Sequence, residues 1–200
     1  MQAFNEMSSN VIVANYGADS GCFDHDDGSS FYKMFNNVCY NGGHKSDYDG
    51  HAKESVNNLH IFPSVYGQRC AGWFVNDFTT IRGAPEKYVN NTCIQSEVPL
   101  DGSGFEALWT WSTGFGCPNS SAPGFPGPQN LSEMVVLANN TFFNPGGRAN
   151  LTLSCGDQSY RNYASYGWDN TSSYVDTVPD PWTIFAWAKD LLRQPRPSNV

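Results

Sequence analysis

Short runs with alternating apolar positions recur along the chain, each led by a pair of asparagines and followed by Gly, Pro or Asp. Asn36-Asn37-Val38-Cys39-Tyr40 returns 21 residues later as Asn57-Asn58-Leu59-His60-Ile61. Further copies follow as Asn90-Asn91-Thr92-Cys93-Ile94 and Asn139-Asn140-Thr141-Phe142-Phe143, after shifts of 33 and 49 residues. Asn10-Val11-Ile12-Val13 reads as an earlier, degenerate copy. Runs of this length with turn formers on both sides predict short strands. Asparagine suits the leading position because its side chain bonds locally to backbone and tolerates left-handed geometry. One such unit cannot bury its own apolar face, whereas stacked units share a continuous core. Alternating βαβ units would need helix-period stretches between the strands, and these are absent.

The predicted fold class is therefore all-β, a parallel β-helix (solenoid). An antiparallel sandwich is the alternative, with Tyr40-Asn41-Gly42-Gly43 as its one candidate hairpin turn. Stacked coils are expected over 1–175, interrupted by a Gly/Pro-rich inserted loop at about 101–131, with strands resuming at Met134-Val135-Val136-Leu137. The end, 176–200, differs in kind. Asp180-Pro181 reads as an N-cap followed by proline at the first helical position. Ile184, Trp187, Ala188, Leu191 and Leu192 follow at helical spacing until Pro195 and Pro197 stop the helix. This amphipathic helix is expected to cap the open end of the stack.

Charge narrows the functional classes. The formal net charge is −8, with no Lys/Arg cluster, which argues against nucleic-acid and anionic-membrane partners. No apolar run reaches the roughly 18–20 residues of a membrane span. Six cysteines (Cys22, Cys39, Cys70, Cys93, Cys117, Cys155) are scattered without a C-x-x-C pair, which fits disulfides in any of several pairings rather than zinc. Asn-x-Ser/Thr acceptors begin at Asn90, Asn119, Asn130, Asn139, Asn150 and Asn170, against about three expected from composition alone. Together these favour a secreted, glycosylated protein. The polar first ten residues lack the features of a signal peptide, so the chain reads as the C-terminal part of a longer protein.

Candidate chemistry concentrates at 22–54. The 21-residue shift maps Asp26 onto Asp47, Asp24 onto Lys45, and Ser30 onto His51. Equivalent positions of stacked strands lie about 4.8 Å apart, so Asp26 and Asp47 are expected side by side. Two carboxylates so close must share a proton, hold a cation or pair with a base. Such a pair suits a glycoside hydrolase, and with Ca²⁺ and a neighbouring lysine it suits a polysaccharide lyase. Asp26 and Asp47 are the expected catalytic residues. Asp24, Asp27, His44, Lys45, Asp49 and His51 are the expected substrate-binding residues. No dedicated metal site is expected, although Ca²⁺ is a candidate cofactor. Asp24-x-Asp26-x-Gly28 departs from an EF-hand loop, because its glycine falls one position early. Turn formation by Asp26-Asp27-Gly28-Ser29 is the purely structural alternative.

The segments at 23–32, 36–39, 43–51 and 57–61 resemble the late coils of right-handed parallel β-helix repeat proteins of the pectate-lyase-like superfamily. The ending, with Tyr166-Gly167-Trp168-Asp169 and Pro179-Asp180 before 184–192, is similar to the tail of the same proteins. The resemblance covers about 10–94 closely and 134–192 loosely. It implies a right-handed β-helix acting on polysaccharide by hydrolysis or elimination. A non-catalytic cell-wall or matrix glycoprotein is the alternative, and in either case the chain is expected to be a monomer.

Overall fold

Left-handed backbone at the leading asparagines sets the path of the chain. Asn36, Asn57, Asn90 and Asn139 have φ of 56°, 54°, 58° and 55°, and Ser9 takes the same role in the degenerate copy at 55°. Asparagine enters this region at lower steric cost than other non-glycine residues. The structure, a computed structural model, describes residues 3–13, 22–25, 28–47, 51–63, 70, 72–75, 84–95, 105–110, 135–145, 151–155, 158–161, 169 and 171–197.

Seventeen strands and one helix are found among these residues. The first nine are β1 (Asn5–Ser8), β2 (Val11–Val13), β3 (Phe23–His25), β4 (Tyr32–Phe35), β5 (Val38–Tyr40), β6 (His44–Asp47), β7 (Glu54–Val56), β8 (Leu59–Ile61) and β9 (Gly72–Val75). There follow β10 (Glu86–Val89), β11 (Thr92–Ile94), β12 (Phe105–Thr110), β13 (Val135–Ala138), β14 (Thr141–Phe143), β15 (Leu151–Cys155), β16 (Gln158–Arg161) and β17 (Ser173–Val175). The chain ends on α1 (Pro181–Leu191).

Every third strand pairs. The sheets run β1-β4-β7-β10-β13, β2-β5-β8-β11-β14-β17 and β3-β6-β9-β12-β15-β16. The first two are wholly parallel, and the third is parallel until β16 returns antiparallel to β15. The class is therefore all-β with parallel sheets. The Asn-led segments lie in register, with Val38 opposite Leu59, Leu59 opposite Thr92, and Thr92 opposite Thr141.

The second asparagine of each pair ties one pass of the chain to the next. Asn37 donates its backbone N–H and its side-chain amide to Asn58 Oδ1, both at 2.9 Å. Asn58 repeats this toward Asn91 and Asn91 toward Asn140, while Asn10 does the same toward Asn37. The amides of Asn37, Asn58, Asn91 and Asn140 also donate to a first-sheet carbonyl of the preceding pass, as Asn58 does to Met34 at 2.9 Å. Buried backbone N–H groups at the corners are thereby satisfied by side chains.

Inward positions form the core: Met34 and Tyr88 from the first sheet, Cys39, Cys93 and Phe142 from the second, and Phe23 from the third. Disulfides join Cys22 to Cys39 and Cys70 to Cys93. Cys117 lies outside the described residues.

Two expectations need correction. The stretch at 101–131 is not simply a loop, because Phe105–Thr110 is a strand paired with β9 and β15. Its alternating apolar residues outweigh the Gly/Pro signals around it, and the rest of the stretch lies outside the described residues. Nor does α1 cap the end of the stack. Ile184 and Leu191 pack on Val38, Leu59, Ile61 and Ile94, which form the outer face of the second sheet. That face is apolar on successive strands, so the apolar stripe of the helix is buried by lying across it. Asp180 caps it as expected, accepting from the N–H groups of Trp182 and Thr183.

Candidate functional site

Alternation along β3 separates two polar environments. Phe23 and His25 are buried, while Asp24 between them is exposed. The register sets Asp24 opposite Lys45 and His25 opposite Ser46, a shift of 21 residues. The same shift joins Ser30 to His51 at the corner leading into the first sheet. There the His51 backbone N–H donates to Ser30 Oγ at 3.0 Å, and its ring Nδ1 lies 3.2 Å from the same oxygen. Ser30 donates its hydroxyl proton to the Gly28 carbonyl at 3.0 Å. Ser30 Oγ thus holds both the backbone and the ring of His51. Nε2 has no hydrogen-bond partner among the described residues, and the ring is steadied edge-on by Phe31 at 4.8 Å. The result is a half-buried imidazole held in one orientation.

The inward polar groups form a second, enclosed cluster. His25, His44 and His60 are 3%, 0% and 0% exposed. His44 lies between the rings of His25 at 5.1 Å and Tyr88 at 5.2 Å, with Phe23 at 5.8 Å. Burial, aided by the Lys53 charge, pulls His25 down to about 4. Burial alone does the same to His60. His44 is held well below the ordinary imidazole value by burial, then by His25, Lys53 and His60. Lys53 is itself enclosed and pairs with Glu86 at 2.8 Å, and Glu86 accepts from the Tyr88 hydroxyl at 3.2 Å. Burial and the adjacent Glu86 push Tyr88 well up. All three histidines are therefore neutral at pH 7. On the first sheet, Lys33 and Lys87 flank Glu54 at 3.3 and 2.7 Å. Burial would raise the Glu54 carboxyl, but the two lysines outweigh it and hold it below its usual value.

The expected site residues divide accordingly. Asp24 and His51 stand on the accessible edge, and Asp47 and Lys45 lie in β6 beside it. Asp26, Asp27 and Asp49 lie outside the described residues. His44, expected to bind substrate, is instead fully buried, because it alternates inward opposite Phe23. Of the expected glycosylation positions, Asn90 and Asn139 are exposed corner residues. Asn119, Asn130, Asn150 and Asn170 fall outside the described residues. Among the described residues no group of three or more His, Cys, Asp or Glu is arranged to hold a metal ion, and no helix is long and apolar enough to cross a membrane. The enclosed Lys53–Glu86 pair is absent from the sequence expectations. Its signal is nevertheless present, since the 33-residue shift from Asn57 to Asn90 also carries Lys53 onto Glu86.

The chain matches no protein-family model, no curated protein and no solved structure.

Proposed function

We propose that this chain is a secreted, N-glycosylated right-handed parallel β-helix protein that binds polysaccharide along the polar edge formed by β3, β6 and the adjoining corner. The observation that carries this reading is the fixed Ser30–His51 pair on the same two passes as the Asp24–Lys45 register. A carboxylate and an oriented imidazole suit the donors and acceptors of sugar hydroxyls, and the strand register adds Lys45 to the same pair of passes. Pairing of every third strand supports the β-helix assignment. The two disulfides and the exposed Asn90 and Asn139 acceptors support an oxidising, glycosylating route.

Turnover is the second reading. It assigns catalysis to Asp26 and Asp47, and it is favoured by the 21-residue register that runs through His25 and Ser46. A pair of carboxyls about 5 Å apart is the spacing of a retaining glycosidase, and elimination would require Ca²⁺ as well.

Titration calorimetry against neutral and uronic-acid polysaccharides, with and without calcium, tests both readings. Binding by at least one class is expected, weakened about tenfold or more by His51→Ala or Asp24→Ala. Unsaturated products would mark elimination, new reducing ends hydrolysis, and Asp26→Asn should stop either. If no polysaccharide binds, or if His51→Ala and Asp24→Ala bind like the parent, the proposed edge is wrong.

A further inference from the structure

The outer face of the second sheet is wider than the helix that covers it. At about 1.5 Å per residue the 11 residues of α1 span roughly 16 Å. Six strands spaced about 4.8 Å apart span roughly 24 Å. Beside the helix runs an open trough of about 1020 Å³, with Val11, Val13 and Tyr40 on its sheet side and Phe185 on its helical side. These four side chains are 56%, 60%, 41% and 66% exposed, a contiguous apolar surface left in water.

The charges bordering this trough suggest what covers it. Asp180 stands at the start of α1, and Lys189 and Arg193 stand at its end, all three lining the trough. Neither cation makes an ion pair among the described residues. Phe185 falls midway between the opposite charges. Such a row is complementary to itself when reversed. Two copies related by a two-fold axis near Phe185 bring Asp180 of each toward Lys189 of the other, while the apolar walls close over one another.

We infer that a second copy of this chain docks on the trough through an antiparallel pairing of the two α1 helices, in place of the monomer expected from the sequence. An isologous contact of this kind closes on itself as a dimer. It lies on a different sheet from the proposed glycan edge and does not depend on it. The basic groups sit where an otherwise acidic molecule would repel its copy, which limits that repulsion at the contact.

Light scattering and sedimentation on the disulfide-intact chain test this inference. The wild type is expected to approach twice the chain mass as concentration rises. Phe185→Glu, at an exposed position, should remain a monomer with an unchanged far-ultraviolet spectrum. Asp180→Asn keeps the helix cap while removing its charge, and it should weaken the dimer severalfold, as should Lys189→Gln. The double variant should be little weaker than either single one, because the two groups form one pair. A wild type that stays monomeric up to about 0.5 mM, where a specific contact with a Kd in the micromolar range would be almost fully formed, overturns the inference. So does a dimer that survives Phe185→Glu. A monomer whose tryptophan emission shifts on adding a long-chain carboxylate would assign the trough to a small apolar ligand instead.

Discussion

Replacing His60 by leucine changes how stability responds to acid, by an amount that follows from its surroundings. His60 lies inside the second sheet, opposite Cys39 on one side and Cys93 on the other. It is fully buried, and its ring is held to about 4 against an ordinary 6.5 by that burial. Because the folded-state value is depressed, the unfolded chain takes up the proton first. The neutral ring's contribution is complete above pH 6.5 and drains away as pH falls toward 4. At pH 5, one and a half units below the unfolded value, the loss is about 2 kcal/mol at roughly 1.4 kcal/mol per unit. His25 should lose a similar amount, and His44 acts in the same direction. His60→Leu removes one of these contributions and preserves an apolar ladder between the flanking cysteines. Guanidinium unfolding at pH 7.5 and 5.0, with the disulfides intact, measures the difference. The comparison stops at about pH 5 because Glu54, whose carboxyl is held below its usual value, adds its own acid lability only at lower pH. The variant should lose about 2 kcal/mol less than the parent between the two conditions. An equal loss in both proteins would refute burial of a neutral imidazole at this position.

Two further substitutions probe the interior. Asn58→Ala leaves the backbone N–H of Asn37 and the carbonyl of Met34 without their amide partners, and should cost about 3–5 kcal/mol in denaturant unfolding, as expected for several buried groups unmade at once. Lys53→Met strands the Glu86 carboxylate in the core and should cost about 3–5 kcal/mol. Adding Glu86→Gln, which can still accept from Tyr88, should recover most of that loss in the same assay.

The corners of the fold were legible because each asparagine pair does two separable tasks. The first residue adopts the left-handed turn, and the second supplies the acceptor and donors that join one pass to the next. Asparagine performs both tasks in four of the passes, and the repeat survives insertions that alter its period. Segment 43–47 was less legible. His44, Lys45, Ser46 and Asp47 are all polar, so alternation alone could not say which face was inward. Its pairing with Phe23-Asp24-His25 decides the matter, and that information is long-range. The apolar stripe of α1 was evident, but a stripe specifies only that it will be covered. The apolar outer residues of β5, β8 and β11 determined the surface against which it lies.

Repeat length, rather than loop shape, builds the proposed glycan edge. Ser30 stands seven residues before Asn37, and His51 stands seven before Asn58. With the asparagines stacked, equal intervals force those two side chains together, as their 3.2 Å contact records. Asp24 and Lys45 stand thirteen residues before the same asparagines, and their backbones pair in register. The neighbouring passes put Ala3 and Ala84 at the position seven before Asn10 and Asn91. The Ala84 carbonyl accepts from the Ala52 N–H at 3.3 Å, so the backbone continues the stack while the side chains do not. Alanine on either side bounds the polar pair at that corner and opens room beside the imidazole. A ligand held there is therefore expected to lie across the strands at the second and third passes, where the hydrogen-bonding groups are, rather than along the whole length of the sheet.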